Sequence, residues 1–311
     1  MKRFIGIDTS NYTTSVAVCE DGRIVRNIRR LLHGKEGERG LRQSDAVFAH
    51  TVALPELLDE LDLSGGGYQA VAVSSRPRDV EGSYMPCFLC GVAAAKTAAT
   101  VLDIPLYRFS HQEGHLAAAL YSCGRLDLYD KDYIGFHVSG GTTEILLSSG
   151  GRVTKLGGTL DISAGKAIDR IGVRLGLGFP CGAALETLAR GADAKGLGAT
   201  KTCVRGFDCN LSGLENKAES LILGGETAER IAAYTIEFVK NTIFEMTSNV
   251  LSAYPSLPVV YAGGVMSNRI LQEYLSQHFD AYFASPEYSC DNAAGIAILA
   301  KLKWEAEHGS E

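Results

Sequence analysis

At 311 residues the chain has room for about two domains. Its hydrophobic fraction of 46% and charged fraction of 21% are those of an ordinary globular protein and exclude disorder. Thirty Lys and Arg against thirty-six Asp and Glu leave a net charge of −6, which excludes a surface that is basic all over, so that any contact with nucleic acid has to be a local patch.

Residues 3–9, 13–19 and 23–30 are expected as three strands joined by tight turns, with Glu20-Asp21-Gly22 as a hairpin signal. A helix over about 45–61, a strand at Ala70-Val71-Ala72-Val73, a helix over about 85–101, a short strand at Leu106-Tyr107-Arg108 and a helix from His111 to Tyr121 follow. The pattern then repeats. Strands are expected near 133–138, 142–148 and 152–156, with Ser149-Gly150-Gly151 as the hairpin turn, and helices near 163–175 and 183–190. Residues 191–225 read as a Gly-rich irregular insert, the kind of long loop that is usually functional. A helix over about 226–252, a strand from Pro258 to Ala262, a helix over 266–278, a strand over 281–284 and a helix over 290–307 close the chain. The repeat predicts an α/β protein of two related lobes with duplicated β-sheet cores and a cleft between them: residues 1–130, completed by the C-terminal helix 290–311, and residues 131–289.

No apolar run reaches the roughly 18 residues that span a bilayer. The start, Met1 to Gly6, passes straight into strand-like alternation without the features of a secretory signal, so a cytoplasmic protein with no membrane partner is expected. The eight cysteines are expected as reduced thiols. Cys87 and Cys90 have C-x-x-C spacing, but they open an apolar helical run and have no second pair at zinc-site distance, so plain packing is the preferred reading.

Three segments carry candidate phosphate and nucleoside chemistry. Gly6-Ile7-Asp8-Thr9-Ser10 and Val138-Ser139-Gly140-Gly141-Thr142 sit on equivalent hairpins of the two halves, where small residues let backbone N–H groups approach anionic oxygens. One Gly/Ser/Thr turn alone is commonplace, whereas a matched pair in duplicated halves is specific. Val259-Val260-Tyr261-Ala262-Gly263-Gly264 is a strand ending in a Gly-Gly turn, where a base and ribose can lie close to the backbone. Together they are similar to the two phosphate elements and the adenosine element of the actin/hexokinase-type (ASKHA) nucleotide-binding fold. Asp169 is placed to accept from a ribose diol or to sit on a solvated helix face, at even weight.

His111 and His115, four apart on a helix, share one face and can hold one metal ion. For a random pair at this spacing the bland reading is two half-buried helix histidines. Here Asp291, expected to open the last helix, offers a third ligand, and two histidines with one carboxylate suit zinc or iron. Glu113 is not at the base position of the metalloprotease motif H-E-x-x-H.

These residues, with Ala164-Gly165-Lys166-Ala167-Ile168-Asp169, Leu211-Ser212-Gly213-Leu214, Ser267-Asn268-Arg269 and Cys290-Asp291-Asn292, make nearly the whole chain resemble the TsaD-like tRNA threonylcarbamoyladenosine transferases, once labelled O-sialoglycoprotein endopeptidases. The resemblance implies a metal-dependent, nucleotide-binding acyltransferase that passes threonylcarbamoyl from its adenylate to N6 of the adenosine beside the anticodon of tRNA. It implies one divalent metal, iron or zinc, on His111, His115 and Asp291. It implies ATP, AMP or an acyl-adenylate on His137, Val138, Ser139, Gly140, Gly141, Asp169, Gly182 and Asn268, beside Gly263 and Gly264 of the adenosine element. Asp8, Thr9 and Ser10 are expected near the reacting centre. A smaller paralogous partner protein on the first lobe is implied as well, and Arg170, Arg174 and Arg190 are expected to help hold tRNA. The chain departs from the family where Asn11-Tyr12-Thr13 replaces Cys-Asp-Glu, where Thr142 replaces His, and where Leu41 to Phe48 stands in place of a Gly-Gly-Val-Val-Pro-Glu segment. A divergent paralogue is therefore expected, and two other functions stand beside the main one: a carbamoyl-type transferase with another acceptor, and a non-catalytic nucleotide-binding regulatory module.

Overall fold

A computed structural model describes residues 1–10, 12–32, 41–61, 63–198 and 200–309. The altered turn residue Asn11 lies outside the described residues. The chain divides into two compact units, Met1–Leu126 with Cys290–Glu311, and Asp127–Ser289.

The first unit is built on β1 (Arg3–Ser10), β2 (Thr13–Glu20) and β3 (Arg23–Leu31), followed by α1 (Gln43–Leu61), β4 (Tyr68–Arg76), α2 (Phe88–Leu102), β5 (Leu106–Ser110) and α3 (His111–Ser122). The sheet order is β3-β2-β1-β4-β5, with β1, β2 and β3 antiparallel and β1, β4 and β5 parallel. Alternation sets the packing. Ile5 and Ile7 of β1, Val16 and Val18 of β2, and Val71 and Val73 of β4 bury one face against Ala53, Leu54 and Leu57 of α1 and Ala95 and Ala99 of α2.

In the second unit, β6 (Tyr133–Val138), β7 (Thr143–Ser149) and β8 (Arg152–Gly158) lead into α4 (Ala164–Arg174), α5 (Gly182–Ala189), the small ribbon β9 (Val204–Arg205) and β10 (Asp208–Cys209), and α6 (Ser212–Leu223). α7 (Ala228–Ala253), β11 (Val259–Ala262), a 3₁₀ turn at Gly264–Ser267, α8 (Arg269–Ser276) and β12 (Ala281–Phe283) complete it. The sheet order is β12-β11-β6-β7-β8. With β6 in the place of β1, this is the first sheet again: an antiparallel β6-β7-β8 meander and a parallel β6-β11-β12 edge. The two hairpin turns match in conformation as well. Asp21 and Gly22 (φ 45° and 85°) and Gly150 and Gly151 (φ 54° and 77°) all take positive φ, as two-residue hairpins of right-handed twist require.

The last helix, α9 (Ala294–His308), returns to the first unit. It covers the face of the first sheet opposite α1 and α2, where Phe4 meets Trp304 edge-on at 5.9 Å and Gly6 leaves no space for a Cβ, which would sit 2.5 Å from the Ala293 carbonyl oxygen.

Three expectations are corrected here. The last helix starts at Ala294 rather than 290, because Cys290–Asn292 forms a side-chain-closed turn: Asn292 Oδ1 accepts from Ala294 N at 3.0 Å and its Nδ2 donates to the Cys290 carbonyl at 2.6 Å. The insert is not irregular throughout, since α6 lies inside it with Leu214 and Ala218 buried on one face. The expected helix over 266–278 is a 3₁₀ turn followed by a shorter α8, because Asn268 caps a new helix by accepting from Leu271 N at 3.1 Å. Among the described residues, no helix is long and apolar enough to cross a membrane.

Candidate metal and nucleotide sites

The first candidate site begins with a helix start. Ser110 ends β5 and caps α3 by accepting from Glu113 N at 3.2 Å, while Glu113 accepts from Ser110 N at 2.6 Å. This reciprocal capping box fixes the first turn of α3 and with it the direction of His111 and His115. Glu113 is thereby used for structure, in keeping with its displacement from the metalloprotease position.

His111 Nε2 and His115 Nε2 lie 2.9 Å apart. Asp291 Oδ1 is 3.5 Å from the first and 3.2 Å from the second. Asp291 reaches them because α9 and α3 cross at two glycines: a Cβ on Gly295 would fall 1.8 Å from the Gly114 carbonyl oxygen. These separations of about 3 Å are those of neighbouring donors around one ion held by bonds of about 2.0–2.2 Å. Behind the triad, Asp8 Oδ2 at the end of β1 lies 2.7 Å from His111 Nδ1, and Asp8 Oδ1 accepts from Ser10 N at 2.7 Å.

Electrostatics fit this arrangement. Burial alone would lower the pKa of His111, but the Asp8 and Asp291 carboxylates beside it lift it to about 10. Asp291 is held well below the usual carboxylate range: burial works against its charge, and the bonds to His111 and His115 outweigh burial. Asp8 is lowered in the same way, by His111 and Ser74. Two carboxylates around two imidazoles make a site that favours added positive charge, and the outward-facing pair of ring nitrogens and one carboxylate oxygen suit a borderline metal ion.

The three residues expected near the reacting centre do not stay together. Asp8 serves His111. Thr9, next along the alternating strand, is directed to α2, where its Oγ1 donates to the Cys87 carbonyl at 3.0 Å and accepts from Gly91 N at 3.1 Å. Ser10 is buried, and its hydroxyl has no partner among the described residues. Cys87 and Cys90 are free thiols; burial pushes Cys87 up to about 11, and Cys90 donates to the Val47 carbonyl, as packing residues do.

The second candidate site lies in the second unit at the C-terminal ends of β6 and β11, where α/β sheets bind ligands. His137 and Val138 end β6, and the turn that follows is closed by Ser139 N donating to the Thr142 carbonyl at 2.7 Å. The amides of Gly140 and Gly141 have no partner among the described residues, and both glycines are exposed with open space where a Cβ would be. The start of α4 holds this turn from behind: Ser163 Oγ donates to the Gly140 carbonyl at 2.6 Å and Gly165 N to the Ser139 carbonyl at 3.2 Å. Asp169 Oδ1 accepts from Cys181 N at 2.8 Å, which ties α4 to the start of α5 at Gly182.

Gly263 and Gly264 differ in kind. Gly263 has φ 96°, and a Cβ there would meet the Val138 carbonyl oxygen at 2.3 Å, so this glycine is required by the protein's own packing. Gly264 has nothing within 4 Å of a Cβ position and leaves backbone open to a ligand.

Arg170, Arg174 and Arg190 are each paired with a glutamate, Glu215, Glu219 and Glu186 respectively, so each charge is partly neutralised in place. Arg76 likewise pairs with Asp79.

Sequence reasoning missed the work of Asp161. One of its oxygens accepts from Leu211 N at 2.8 Å and the other from Ser212 N at 3.1 Å, capping α6 from fifty residues away. These bonds hold its pKa below the usual carboxylate range against the opposing effect of burial. No local spacing announces a cap so distant. The Ser110-x-x-Glu113 box, by contrast, is a local signal, its two residues three apart, that sequence reasoning passed over although the helix start at His111 was expected.

Two sheets of identical order, each an antiparallel meander extended by parallel strands, place the protein in the actin/hexokinase class of nucleotide-binding folds. The fold is similar to that of HypF from T. kodakarensis (TM-score 0.62, 14% identity, 98% of this chain and 48% of that one). It is similar also to a ROK family glucokinase from Streptomyces griseus solved in complex with glucose and AMPPNP (TM-score 0.55, 13% identity, 96% and 99%). Within that class, the family model TsaD, tRNA N6-adenosine threonylcarbamoyltransferase, matches residues 46–298. The chain is 33% identical over 312 residues to a tRNA N6-adenosine threonylcarbamoyltransferase of Thermus thermophilus, covering 95% of this chain and 91% of that protein. It belongs to the TsaD family.

Proposed function

We propose that this chain is an acyltransferase that passes the threonylcarbamoyl group from its adenylate to N6 of an adenosine in tRNA. Family membership supports the reaction, and the observation that carries the site assignment is the convergence of His111, His115 and Asp291, backed by Asp8, on one point. In the reaction a bond forms between N6 and the carbonyl carbon of the threonylcarbamoyl group. The bond from that carbon to the phosphate oxygen breaks, AMP leaves, and N6 loses one proton.

The donor set fits a divalent ion, zinc or iron, on His111, His115 and Asp291. When bound, the ion supplies Lewis-acid neutralisation of carbonyl or phosphate oxygens. The residues of this chain do the rest. Asp8 keeps the His111 ring turned with Nε2 outward, as a carboxylate behind a metal-ligating histidine does. The free amides of Gly140 and Gly141 donate to phosphate oxygens, where preorganised donors are worth most. Asp169 keeps its second oxygen for a ribose hydroxyl, and Gly264 leaves the backbone flat for the base, with His137, Val138, Ser139, Gly182 and Asn268 framing the pocket. The unit Met1–Leu126 with Cys290–Glu311 is the metal lobe and Asp127–Ser289 the nucleotide lobe, with the boundary four residues earlier than the sequence pattern places it.

The acidic chain and its paired arginines leave a share of tRNA affinity to a partner protein in the cytoplasm. The test is a transfer assay with purified protein, threonylcarbamoyl-adenylate and unmodified tRNA, with and without candidate partners, read by nucleoside mass spectrometry. Modified adenosine supports the proposal. Absence of product, in protein shown to hold metal and adenylate, overturns it in favour of another acceptor.

A further inference from the structure

The second unit holds a cavity of about 600 Å³ that shares no residue with either candidate site described above. It lies between the first turn of α6, the segment around Cys203, and α7. Tyr234 and Phe238, one helical turn apart on α7, line it as buried rings, only 3% and 5% exposed. Lys201 and Lys217 line it as well, the first exposed and the second half-buried. None of the described residues lining it carries a carboxylate. Nearby acids are committed elsewhere: Glu215 to Arg170, Glu237 to Lys240, and Asp161 to the backbone of Leu211 and Ser212. Asn210, whose Nδ2 donates to Asp161 Oδ2 at 3.3 Å, also lines it. The volume is that of a pocket for a ligand of drug size. A basic, carboxylate-free lining selects an anion, and the two rings, packed into the core with only their edges at the floor of the cavity, offer an apolar contact for a base beside the lysines.

We propose that this cavity binds a nucleoside monophosphate unit, with the phosphate on Lys201 and Lys217 and the base against Tyr234 and Phe238. The unit is either a free nucleotide or an unpaired nucleotide of an RNA strand. This site is independent of the transfer reaction and of the adenylate turn at Ser139–Gly141.

Cys203 is an exposed thiol in the lining and reports occupancy directly. The full chain is treated with iodoacetamide, and alkylation of Cys203 is followed by peptide mass spectrometry in the presence of uridine monophosphate or a uridine-rich single-stranded RNA. At a ligand concentration tenfold above the dissociation constant, Cys203 alkylation is expected to slow about tenfold by mass action, while Cys90 and Cys123 react as before. Lys201→Ala with Lys217→Ala, compared at matched melting temperature, abolishes the protection; the single variants Lys201→Gln and Lys217→Gln weaken it and serve if the double variant does not fold. Protection by uridine monophosphate assigns the site to free nucleotide, and protection by the strand alone assigns it to RNA. Gly264→Val, which obstructs the adenylate turn, leaves the protection in place. An unchanged Cys203 rate with both probes at millimolar concentration, protection that survives loss of both lysines, or protection lost in Gly264→Val overturns the proposal.

Discussion

The Asp8 carboxylate lies 2.7 Å from Nδ1 of His111, so the ring turns its other nitrogen toward His115 and Asp291. A residue at the end of the first strand therefore sets the orientation of a ligand candidate one hundred residues later. Asp8→Asn is expected to keep metal but to weaken it about 10- to 100-fold, the usual cost of losing such a support. His111→Ala with His115→Ala removes it. Metal analysis and chelator competition measure both, and full metal content in the double variant would contradict the assignment.

Glu113 separates two readings of the His111–His115 segment. As half of a capping box, it is replaceable by Gln, which can still accept from Ser110 N, so Glu113→Gln retains transfer activity and stability. Glu113→Ala costs about 1 kcal/mol of stability, the usual worth of a cap. Urea denaturation and the transfer assay check this; activity lost in Glu113→Gln without loss of stability would give Glu113 a chemical role.

The two neighbouring glycines of the adenosine element should part company on substitution. Gly263→Val forces a Cβ into the Val138 backbone at a positive φ, so it lowers the melting temperature and loses nucleotide binding with the fold. Gly264→Val places its Cβ where nothing lies within 4 Å and removes adenylate binding from a folded chain. Calorimetric melting and titration with AMP distinguish them. Normal AMP binding by a folded Gly264→Val protein would remove Gly264 from the site.

His50 on α1 makes stability depend on pH. It is fully buried, paired through Nδ1 with Thr14 Oγ1 at 2.7 Å, and its Nε2 has no partner among the described residues. Burial pushes its pKa down to about 4 against the pull of Asp8. Between pH 6.5 and 4 the unfolded chain takes up a proton there that the folded chain refuses, so this contribution is whole above about 6.5 and is lost as pH falls toward 4. From pH 7 to 5 the loss is about 2 kcal/mol. His50→Asn, which keeps an acceptor or donor toward Thr14, should lose correspondingly less over the same range in chemical denaturation, and an identical slope would refute the assignment.

What could be read from the sequence was what local pattern encodes. The hairpin turns at Asp21-Gly22 and Gly150-Gly151, the alternation of β1 and β6, and the i, i+4 pair His111 and His115 are each specified by neighbours a few residues apart, and so the duplicated fold and the ligand candidates were legible. Features set by distant chain were not. Asp161 caps α6 across fifty residues, Thr9 is turned away from Asp8 by its bond to Cys87 and Gly91, and Gly263 owes its identity to Val138. The start of the last helix was misplaced because Asn292 spends its side chain closing a turn that its composition alone does not reveal.

The approach of Gly295 to Gly114 joins parts of the chain made at very different times. On the ribosome, His111 and His115 emerge long before Asp291, and the helix that brings Asp291 to them follows the whole second unit. The nascent first unit must wait, with one face of its sheet bare and two histidines in place, while the whole second unit is translated. An ion held by all three side chains would thus be captured only once Asp291 has emerged, and a chain interrupted before residue 290 would carry the paired imidazoles without the carboxylate that completes them.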